Sequence, residues 1–186
     1  MRNIILHQRE ERDRLLSLPY INRQTIYPVD VLLQSPMIKL ITGPRRVGKS
    51  VFALLALKNT NFAYLNFDDN QLLTNWNEDV VMQTLNDVYP DFQYLLLDEV
   101  QNLPNWDLWV TTLYRRGYNL IITGSNARML SQEMATVLTG RYIPIAMYPF
   151  SLPETLQWYD IDPTNIPTEK QAKDLSLQDD YLRLGG

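Results

Sequence analysis

Short apolar segments alternate with segments of helical periodicity between about residue 37 and residue 147. Five segments have the length and pattern that predict β-strands: Met37–Thr42, Phe62–Phe67, Tyr94–Leu97, Asn119–Thr123 and Tyr142–Met147. The third of them contains only apolar residues, which is typical of a central strand covered on both faces. The pattern therefore predicts a sheet whose middle strands are buried.

Segments with apolar residues at helical spacing separate the predicted strands. They predict helices over Ser50–Lys58, Glu78–Val88 and Met129–Leu138, and a further helix that Asn105 caps and Gly117 ends. Strands that alternate with helices pair in parallel through right-handed crossovers. The predicted fold class is therefore α/β, with three layers built around a parallel sheet.

Both flanks of this region differ from it in composition. His7–Leu18 predicts a short amphipathic helix ended by Pro19, and residues 19–37, with three prolines, predict an irregular connection. Five prolines between Pro144 and Pro167 mark the exit from the core. These breaks divide the chain into three expected parts: an N-terminal helix and connection (1–36), a core domain (37–150), and a linker with the start of a truncated C-terminal region (151–186).

The composition excludes several kinds of chemistry. The 186 residues include no cysteine and one histidine, His7, which excludes disulfides, Cys- or His-based metal sites and a Ser-His-Asp triad. A net charge of −4 provides no overall field that attracts nucleic acid, so nucleic-acid binding is not indicated. Met1–Arg14 lacks the apolar core of a signal peptide, and no apolar run approaches the ~18 residues of a membrane span. We therefore expect a cytoplasmic protein without membrane contact.

One segment matches the pattern G-x-x-x-x-G-K-[ST] without a mismatch: Gly43-Pro-Arg-Arg-Val-Gly-Lys-Ser50. Glycines let the backbone wrap around phosphate oxygens, and the N-terminus of the helix that follows favours negative charge. Lys49 is expected to neutralise the β- and γ-phosphates, and Ser50 to bind Mg²⁺. Arg45 and Arg46 either touch phosphate or face solvent. The predicted nucleotide-binding residues form one run: Gly43, Pro44, Arg45, Arg46, Val47, Gly48, Lys49, Ser50 and Val51.

Two adjacent acids, Asp98 and Glu99, follow the apolar third strand. Asp98 is expected to reach the magnesium ion, and Glu99 to polarise a water molecule for attack on the γ-phosphate. Paired acids at such a position can also cap the next element. Their place after a buried strand, downstream of the phosphate-binding segment, favours the catalytic interpretation. The expected cofactors are therefore ATP and Mg²⁺.

Two further positions are candidates for completing the site. The fourth predicted strand ends in Thr123-Gly-Ser-Asn126, so Ser125 or Asn126 is expected close to the attacking water; the alternative is a turn in which Asn126 caps the next helix. Arg141 precedes the fifth predicted strand, and its planar guanidinium is suited to spreading negative charge. For Arg141 the alternative is a surface arginine or a structural ion pair.

Six stretches occur in a fixed order over about residues 37–156: Ile41-Thr-Gly-Pro-Arg-Arg-Val-Gly-Lys-Ser50, Tyr64-Leu-Asn-Phe-Asp68, Leu97-Asp-Glu-Val-Gln-Asn102, Ile122-Thr-Gly-Ser-Asn126, Leu138-Thr-Gly-Arg141 and Tyr148-Pro-Phe-Ser-Leu152. Together they resemble the AAA+-like P-loop ATPases of bacteria and archaea that carry an AAA_14-type domain, often with a C-terminal region of the DUF4143 type. The resemblance implies a P-loop NTPase with a five-stranded parallel sheet in the order 5-1-4-3-2. It also implies ATP hydrolysis coupled to a conformational change.

The resemblance also implies roles for the remaining candidates. Asn126, or Ser125, takes the place of the family's sensor residue, and Arg141 that of an arginine that often serves a neighbouring subunit, so a homo-oligomer through Arg141 is implied. The implied catalytic residues are Lys49, Glu99, Asn126 and Arg141, and the implied metal ligands are Ser50 and Asp98.

Three functions compete for this pattern. The leading interpretation is an ATPase that moves an attached C-terminal domain. One alternative is a nucleotide-dependent binding or regulatory module with little turnover, against which Glu99 argues. The other is a P-loop kinase, which needs an arginine-rich lid over the phosphates, and no such lid follows Ile121.

Overall fold

The structure is a computed structural model that describes residues 1–23, 25, 27–125, 138 and 140–158. Its described helices are α1 (Arg2–Leu16), α2 (Val29–Gln34), α3 (Lys49–Leu57), α4 (Asn70–Thr74), α5 (Glu78–Val88), α6 (Trp106–Arg115) and α7 (Leu152–Trp158). Its described strands are β1 (Ile38–Gly43), β2 (Phe62–Asn66), β3 (Tyr94–Asp98), β4 (Leu120–Ser125) and β5 (Tyr142–Ala146). A 3₁₀ turn, Val100–Asn102, follows β3.

The five strands form one sheet in the order β2-β3-β4-β1-β5, and every neighbouring pair is parallel. Followed from the β5 edge, this order is the predicted 5-1-4-3-2, so the predicted fold class and strand order are confirmed. Gly43 at the end of β1 stands opposite Ser125 at the end of β4. The carboxyl ends of the strands therefore meet at one end of the sheet.

The apolar side chains of the sheet point alternately to two faces, as strands covered on both sides require. On one face, Leu40 of β1 belongs to a core that includes buried residues of α1, α5 and α6. On the other, Ile41 belongs to a core that includes buried residues of α3, with residues of α2 against it. Helices thus cover both faces of the sheet, which gives the three layers.

One helix lies where the sequence predicted an irregular connection. Residues 19–37 were expected to be irregular because of their prolines, yet α2 occupies Val29–Gln34. Pro28 stands at its N-cap, where the missing N–H group costs no hydrogen bond. The negative charge of Asp30 in the first turn interacts favourably with the positive end of the helix dipole. A proline at the start of a helix was here mistaken for a helix breaker.

Other differences concern the ends of helices. Helix α1 runs from Arg2 to Leu16 rather than over His7–Leu18, because Ile5 already belongs to the core. Asp69, whose side chain accepts from two backbone N–H groups, begins the short helix α4, which the sequence did not predict. Asn105 precedes α6 as expected but has a φ of 54° and makes no capping bond with its side chain. The helix predicted over Met129–Leu138 lies outside the described residues except for Leu138.

The chain divides into two compact units: Met1–Leu18 with Tyr27–Met147, and a second unit whose described residues are 19–23, 25 and 148–158. In the described part of the second unit, the guanidinium of Arg23 pairs with Glu154 of α7 at 2.9 Å and lies over the ring of Phe150. None of the helices that the structure describes is both long and apolar enough to cross a membrane.

Candidate active site

The loop between β1 and α3 has the backbone geometry that wrapping a phosphate chain requires. A Cβ atom at Gly43 would lie 2.2 Å from the carbonyl oxygen of Met147, so only glycine fits there. Arg46 (φ 67°) and Gly48 (φ 87°) have left-handed backbone, and Gly48 is the N-cap of α3. Turns of this kind aim backbone N–H groups into a concavity, and the N-terminus of α3 adds positive charge.

The side chains of this loop divide into exposed and buried sets. Pro44, Arg45 and Arg46 are exposed, Val47 is buried, and Val51 is half-buried in α3. Arg45 lines a cleft described below. Arg46 is exposed, and its position does not by itself indicate a contact with phosphate. The loop therefore offers mainly its backbone and Lys49 to a ligand.

Lys49 is buried and points back across the loop. Its ammonium donates to the carbonyl oxygens of Gly43 at 3.3 Å and Pro44 at 2.9 Å. It also lies 3.9 Å from Oε1 of Glu99. The charged group of Lys49 therefore lies between the loop and Glu99, the acid that follows β3.

Asp98, at the end of β3, accepts hydrogen bonds from three hydroxyl groups. Ser50 Oγ donates to its Oδ1 at 2.8 Å, the Thr123 hydroxyl donates to the same oxygen, and the Tyr64 hydroxyl donates to Oδ2 at 3.2 Å. Burial raises the pKa of Asp98, the nearby Glu99 raises it further, and the three hydroxyls oppose both effects. The structure thus joins the loop serine directly to the predicted metal-binding acid.

Glu99 has a left-handed backbone, with a φ of 51°, which is uncommon for a residue with a side chain. Its N–H donates to Thr123 Oγ1 at 3.0 Å, and its Oε2 accepts from Gln101 Nε2 at 2.5 Å. Backbone of this kind concentrates at functional sites, where the surrounding structure enforces it. From this turn the carboxylate of Glu99 comes within 3.9 Å of the ammonium of Lys49.

A polar cleft of about 130 Å³ opens at the carboxyl end of the sheet. Side chains from three strand ends and from the loop line it: Arg45, Asp68, Glu99, Gln101, Asn102 and Ser125. Ser125 is therefore at the site, opposite Gly43 in the register of β1 and β4. Asn126, the other candidate for the sensor, lies outside the described residues.

Arg141 lies at the opposite end of the sheet. Its carbonyl oxygen accepts from the N–H of Ile38, the first residue of β1, and its side chain is exposed. The five steps from Ile38 to Gly43 extend about 16 Å along the strand, which is longer than an arginine side chain. Arg141 therefore cannot reach the loop of its own chain.

Sequence reasoning did not identify two residues that hold Asp98, namely Tyr64 and Thr123. Both lie inside strands that neighbour β3, where a hydroxyl group is easily taken for ordinary strand composition. A polar hydroxyl within the last three residues of a buried strand next to the acidic strand is the signal that was available. Gln101 and Asn102, which line the cleft, were quoted in the motif but given no role.

Comparison with known proteins finds a family match and two related proteins. A family model for an AAA domain, AAA_14, matches residues 35–156. A protein of Methanocaldococcus jannaschii, MJ1544, is 29% identical over 168 residues, which cover 85% of this chain and 37% of the relative. A protein of Haemophilus influenzae is 35% identical over 164 residues, which cover 80% of this chain and 39% of the relative. Both relatives are uncharacterized, and the chain spans about two fifths of their length.

Among solved structures, the AMPPCP-bound DnaA from Aquifex aeolicus aligns with 96% of this chain and 59% of its own, with a TM-score of 0.44 and 15% identity. The family match is much more specific, because it extends from just before β1 to within α7 and includes the phosphate-binding loop and both acids. The chain therefore belongs to the AAA_14 family and carries a nucleotide-binding domain of the AAA type.

Proposed function

We propose that this protein binds ATP with Mg²⁺ through Gly43–Val51, hydrolyses the ATP, and uses the cycle to change the conformation of an attached C-terminal region. The observation that carries the proposal is the 2.8 Å hydrogen bond between Ser50 Oγ and Asp98 Oδ1. It brings the hydroxyl at the start of α3 to the carboxylate at the end of β3. An enzyme that hydrolyses a Mg²⁺-bound triphosphate needs these two oxygen groups side by side.

The loop supplies the phosphate-binding part of the mechanism. The backbone N–H groups that follow Gly43 and the N-terminus of α3 attract phosphate oxygens. Lys49 then exchanges the carbonyl oxygens of Gly43 and Pro44 for oxygens of the β- and γ-phosphates, which are stronger partners for an ammonium group. The exchange needs only a rotation of the side chain, because the ammonium already lies inside the loop.

Ser50 and Asp98 are the residues that would hold Mg²⁺. They present hydroxyl and carboxylate oxygens, the ligands that this ion prefers. Among the described residues, no three His, Cys, Asp or Glu side chains form a metal-binding group, and Mg²⁺ commonly takes one or two protein ligands together with water and phosphate. When bound, the ion neutralises charge on the β- and γ-phosphates.

Glu99 is the proposed general base. Its carboxylate lines the cleft that adjoins the loop, 3.9 Å from the ammonium of Lys49. From there it can accept a proton from a water molecule that attacks the γ-phosphate, while Gln101 fixes the orientation of its second oxygen. Ser125 lines the same cleft, so either it or Asn126 is proposed to help orient that water.

Two parts of the proposal extend beyond one chain or one domain. Arg141 is proposed to stabilise the transition state in the site of a neighbouring copy, since the length of β1, about 16 Å, separates it from the site of its own chain. The relatives are more than twice as long as the matched segment. We propose that residues 37–150 form the motor core, that 1–36 precede it as an N-terminal extension, and that 151–186 lead into a further region that responds to hydrolysis.

Two matched substitutions test the proposal. Glu99→Gln keeps the shape of the side chain but removes the base, so ATP turnover should fall roughly 10²-fold while ATP binding persists. Asp98→Asn should instead weaken the dependence of ATP binding on Mg²⁺. Glu78→Gln, in which the exposed acid at the start of α5 is changed, serves as the control and should leave both properties unchanged.

Phosphate release and titration calorimetry, with and without Mg²⁺, measure these outcomes. Parental turnover by Glu99→Gln would show that Glu99 is not the base. A parent chain that binds Mg²⁺·ATP tightly but releases no phosphate at any protein concentration would favour the nucleotide-dependent binding module over the ATPase.

A further inference from the structure

Helix α1 lies outside the residues that match the family and covers the edge strand β2. Gln8, in the middle of the helix, is 3% exposed. Its side-chain oxygen accepts from the N–H of Asn66 at 2.9 Å, and its side-chain nitrogen donates to the carbonyl oxygen of Asn66 at 3.1 Å. One amide side chain thus pairs with the edge of β2 as a neighbouring strand would.

The same side chain reaches beyond the strand. Gln8 Nε2 also donates to Oδ2 of Asp69 at 3.0 Å, while Oδ1 of Asp69 accepts from N–H groups at the start of α4. Asn66 Oδ1 in turn accepts from the N–H of Asp68 at 2.9 Å. Gln8 therefore holds both ends of the segment from Asn66 to Asp69, in addition to the bond from the N–H of Phe67 to the carbonyl oxygen of Asp98.

This segment is one wall of the cleft. Asp68 Oδ1 accepts from Nδ2 of Asn102 at 2.7 Å, and the N–H of Asn102 donates to the carbonyl oxygen of Glu99 at 3.1 Å. Asp68 and Glu99 both line the cleft. A continuous set of hydrogen bonds thus leads from helix α1, through the end of β2, to the turn that carries the proposed base.

Two arginines that follow Gln8 in the helix make different contacts. Arg12 donates to the carbonyl oxygen of Phe62, the first residue of β2, at 2.7 Å, and its guanidinium lies over the rings of Phe62 and Tyr89. Arg9 donates to the carbonyl oxygen of Val88 at 3.0 Å. These arginines attach α1 to the amino end of β2 and to the end of α5, away from the cleft.

We infer that Gln8 is a positioning residue for hydrolysis: through Asn66, Asp69 and Asp68 it holds Asn102 and the Glu99 turn in place. The inference rests on the proposed function. Helix α1 then does more than protect the free edge of β2, because one of its side chains sets the geometry of the site. Displacement of the helix would lower turnover without touching the phosphate-binding loop.

The test compares Gln8→Ala with Arg12→Ala in the 186-residue chain. Both substitutions remove contacts that dock α1, but only the first removes hydrogen bonds to the segment from Asn66 to Asp69. Gln8→Ala should lower kcat about fivefold, which corresponds to about 1 kcal/mol, with the KM for ATP within about twofold of the parent. Arg12→Ala should leave kcat within about twofold of the parent value. It should lower the melting temperature at least as much as Gln8→Ala does. Equal losses of kcat in both variants, or no loss in Gln8→Ala, would overturn the inference.

Amide hydrogen exchange gives a readout that does not depend on activity. Residues 66–69 and 99–102 should exchange faster in Gln8→Ala than in Arg12→Ala, and equal exchange would contradict the inference even if the chain hydrolyses no ATP. Gln8→Glu is a second variant in case Gln8→Ala does not fold, since it keeps the acceptor for Asn66 but loses the donor to Asp69. Gln8→Glu is expected to show the same loss of kcat and the same faster exchange as Gln8→Ala. A parent without turnover would count against the proposed function alone.

Discussion

The two ends of the sheet each hold a buried lysine, and the two lysines differ in their surroundings. Lys39, near the amino end of β1, is 1% exposed, and its ammonium donates to the carbonyl oxygen of Ser35, the residue that ends α2. Lys49, at the carboxyl end, is 4% exposed and donates to two carbonyl oxygens of its own loop while it faces Glu99. Burial and carbonyl partners are common to both, so neither feature identifies the functional lysine.

The two lysines differ in whether a ligand can replace their hydrogen-bond partners. The ammonium of Lys39 caps the C-terminus of α2 by donating to the carbonyl oxygen of Ser35. A ligand that bound this ammonium would leave that carbonyl without its hydrogen-bond donor. Lys49 lies in a loop that attracts anions, so a phosphate can replace its carbonyl partners. Open parallel sheets bind ligands outside the carboxyl ends of their strands. Under the proposed function, the amino end therefore holds elements together, and the carboxyl end carries groups that exchange hydrogen-bond partners when nucleotide binds.

Arg141 is the proposed exception, because it belongs to the amino end but is assigned to catalysis. If it serves a neighbouring copy, Arg141→Ala should lower turnover about 10³-fold, the lower range for arginine fingers, and turnover per chain of the parent should rise with protein concentration. A mixture of Arg141→Ala with Lys49→Ala chains should regain activity, since each chain supplies the group that the other lacks. Phosphate release at several protein concentrations measures both effects.

Arg116 provides the matched control for this experiment. It is exposed at the C-cap of α6, at the same end of the sheet as Arg141. Arg116→Ala should hydrolyse ATP at the parental rate. If the mixture shows no rescue, or if dilute parent chains turn over as fast per chain as concentrated ones, Arg141 does not act between copies.

The two lysines can be compared directly by ATP binding. Lys49→Ala should weaken ATP binding tenfold or more, about 1.4 kcal/mol, because the charge that neutralises the β- and γ-phosphates is lost. Lys39→Met should bind ATP as the parent does, although it removes an equally buried charge. Titration calorimetry of both variants measures the difference. Equal losses would mean that the two ends of the sheet do not divide structure from function as argued.

The sequence contained enough to predict the fold and the main positions of the site. The alternating pattern predicted five parallel strands, and the family resemblance implied the order that is observed. The loop and the two acids fell at the carboxyl ends, where parallel strands bring them together. These features depend on local spacing and on general rules of topology. The order of motifs along the chain was therefore sufficient for them.

The contacts that hold the site could not be predicted in the same way. Tyr64 and Gln8 act on Asp98 and Asn66, which are 34 and 58 residues away in the chain. Such contacts depend on strand register and on how α1 lies against β2, and neither leaves a local pattern. The expected order 5-1-4-3-2 put the strand that follows Arg141 at the edge of the sheet. The distance of Arg141 from the loop follows only from the register of β5 with β1.

The smallest expected effect concerns Lys39 and the dependence of stability on pH. Burial lowers the pKa of Lys39 in the folded chain to about 8, from 10.5. Between these two values the unfolded chain holds the proton and the folded chain has released it. The unfolded state then binds more protons, so the free energy of unfolding rises with pH across this window. Well below pH 8 both states are protonated, and this group then gives no pH dependence.

Lys39→Met removes the titrating group and leaves the others, so the comparison of the two chains isolates its contribution. From pH 8 to pH 9 the free energy of unfolding of the parent should rise by about 1 kcal/mol relative to the variant. Urea unfolding of both chains at each pH measures this difference. A constant difference would mean that the ammonium of Lys39 is as well stabilised inside the protein as in water, by the carbonyl of Ser35. The contrast with Lys49 would then concern only which partners can be exchanged, and not the cost of burying the charge.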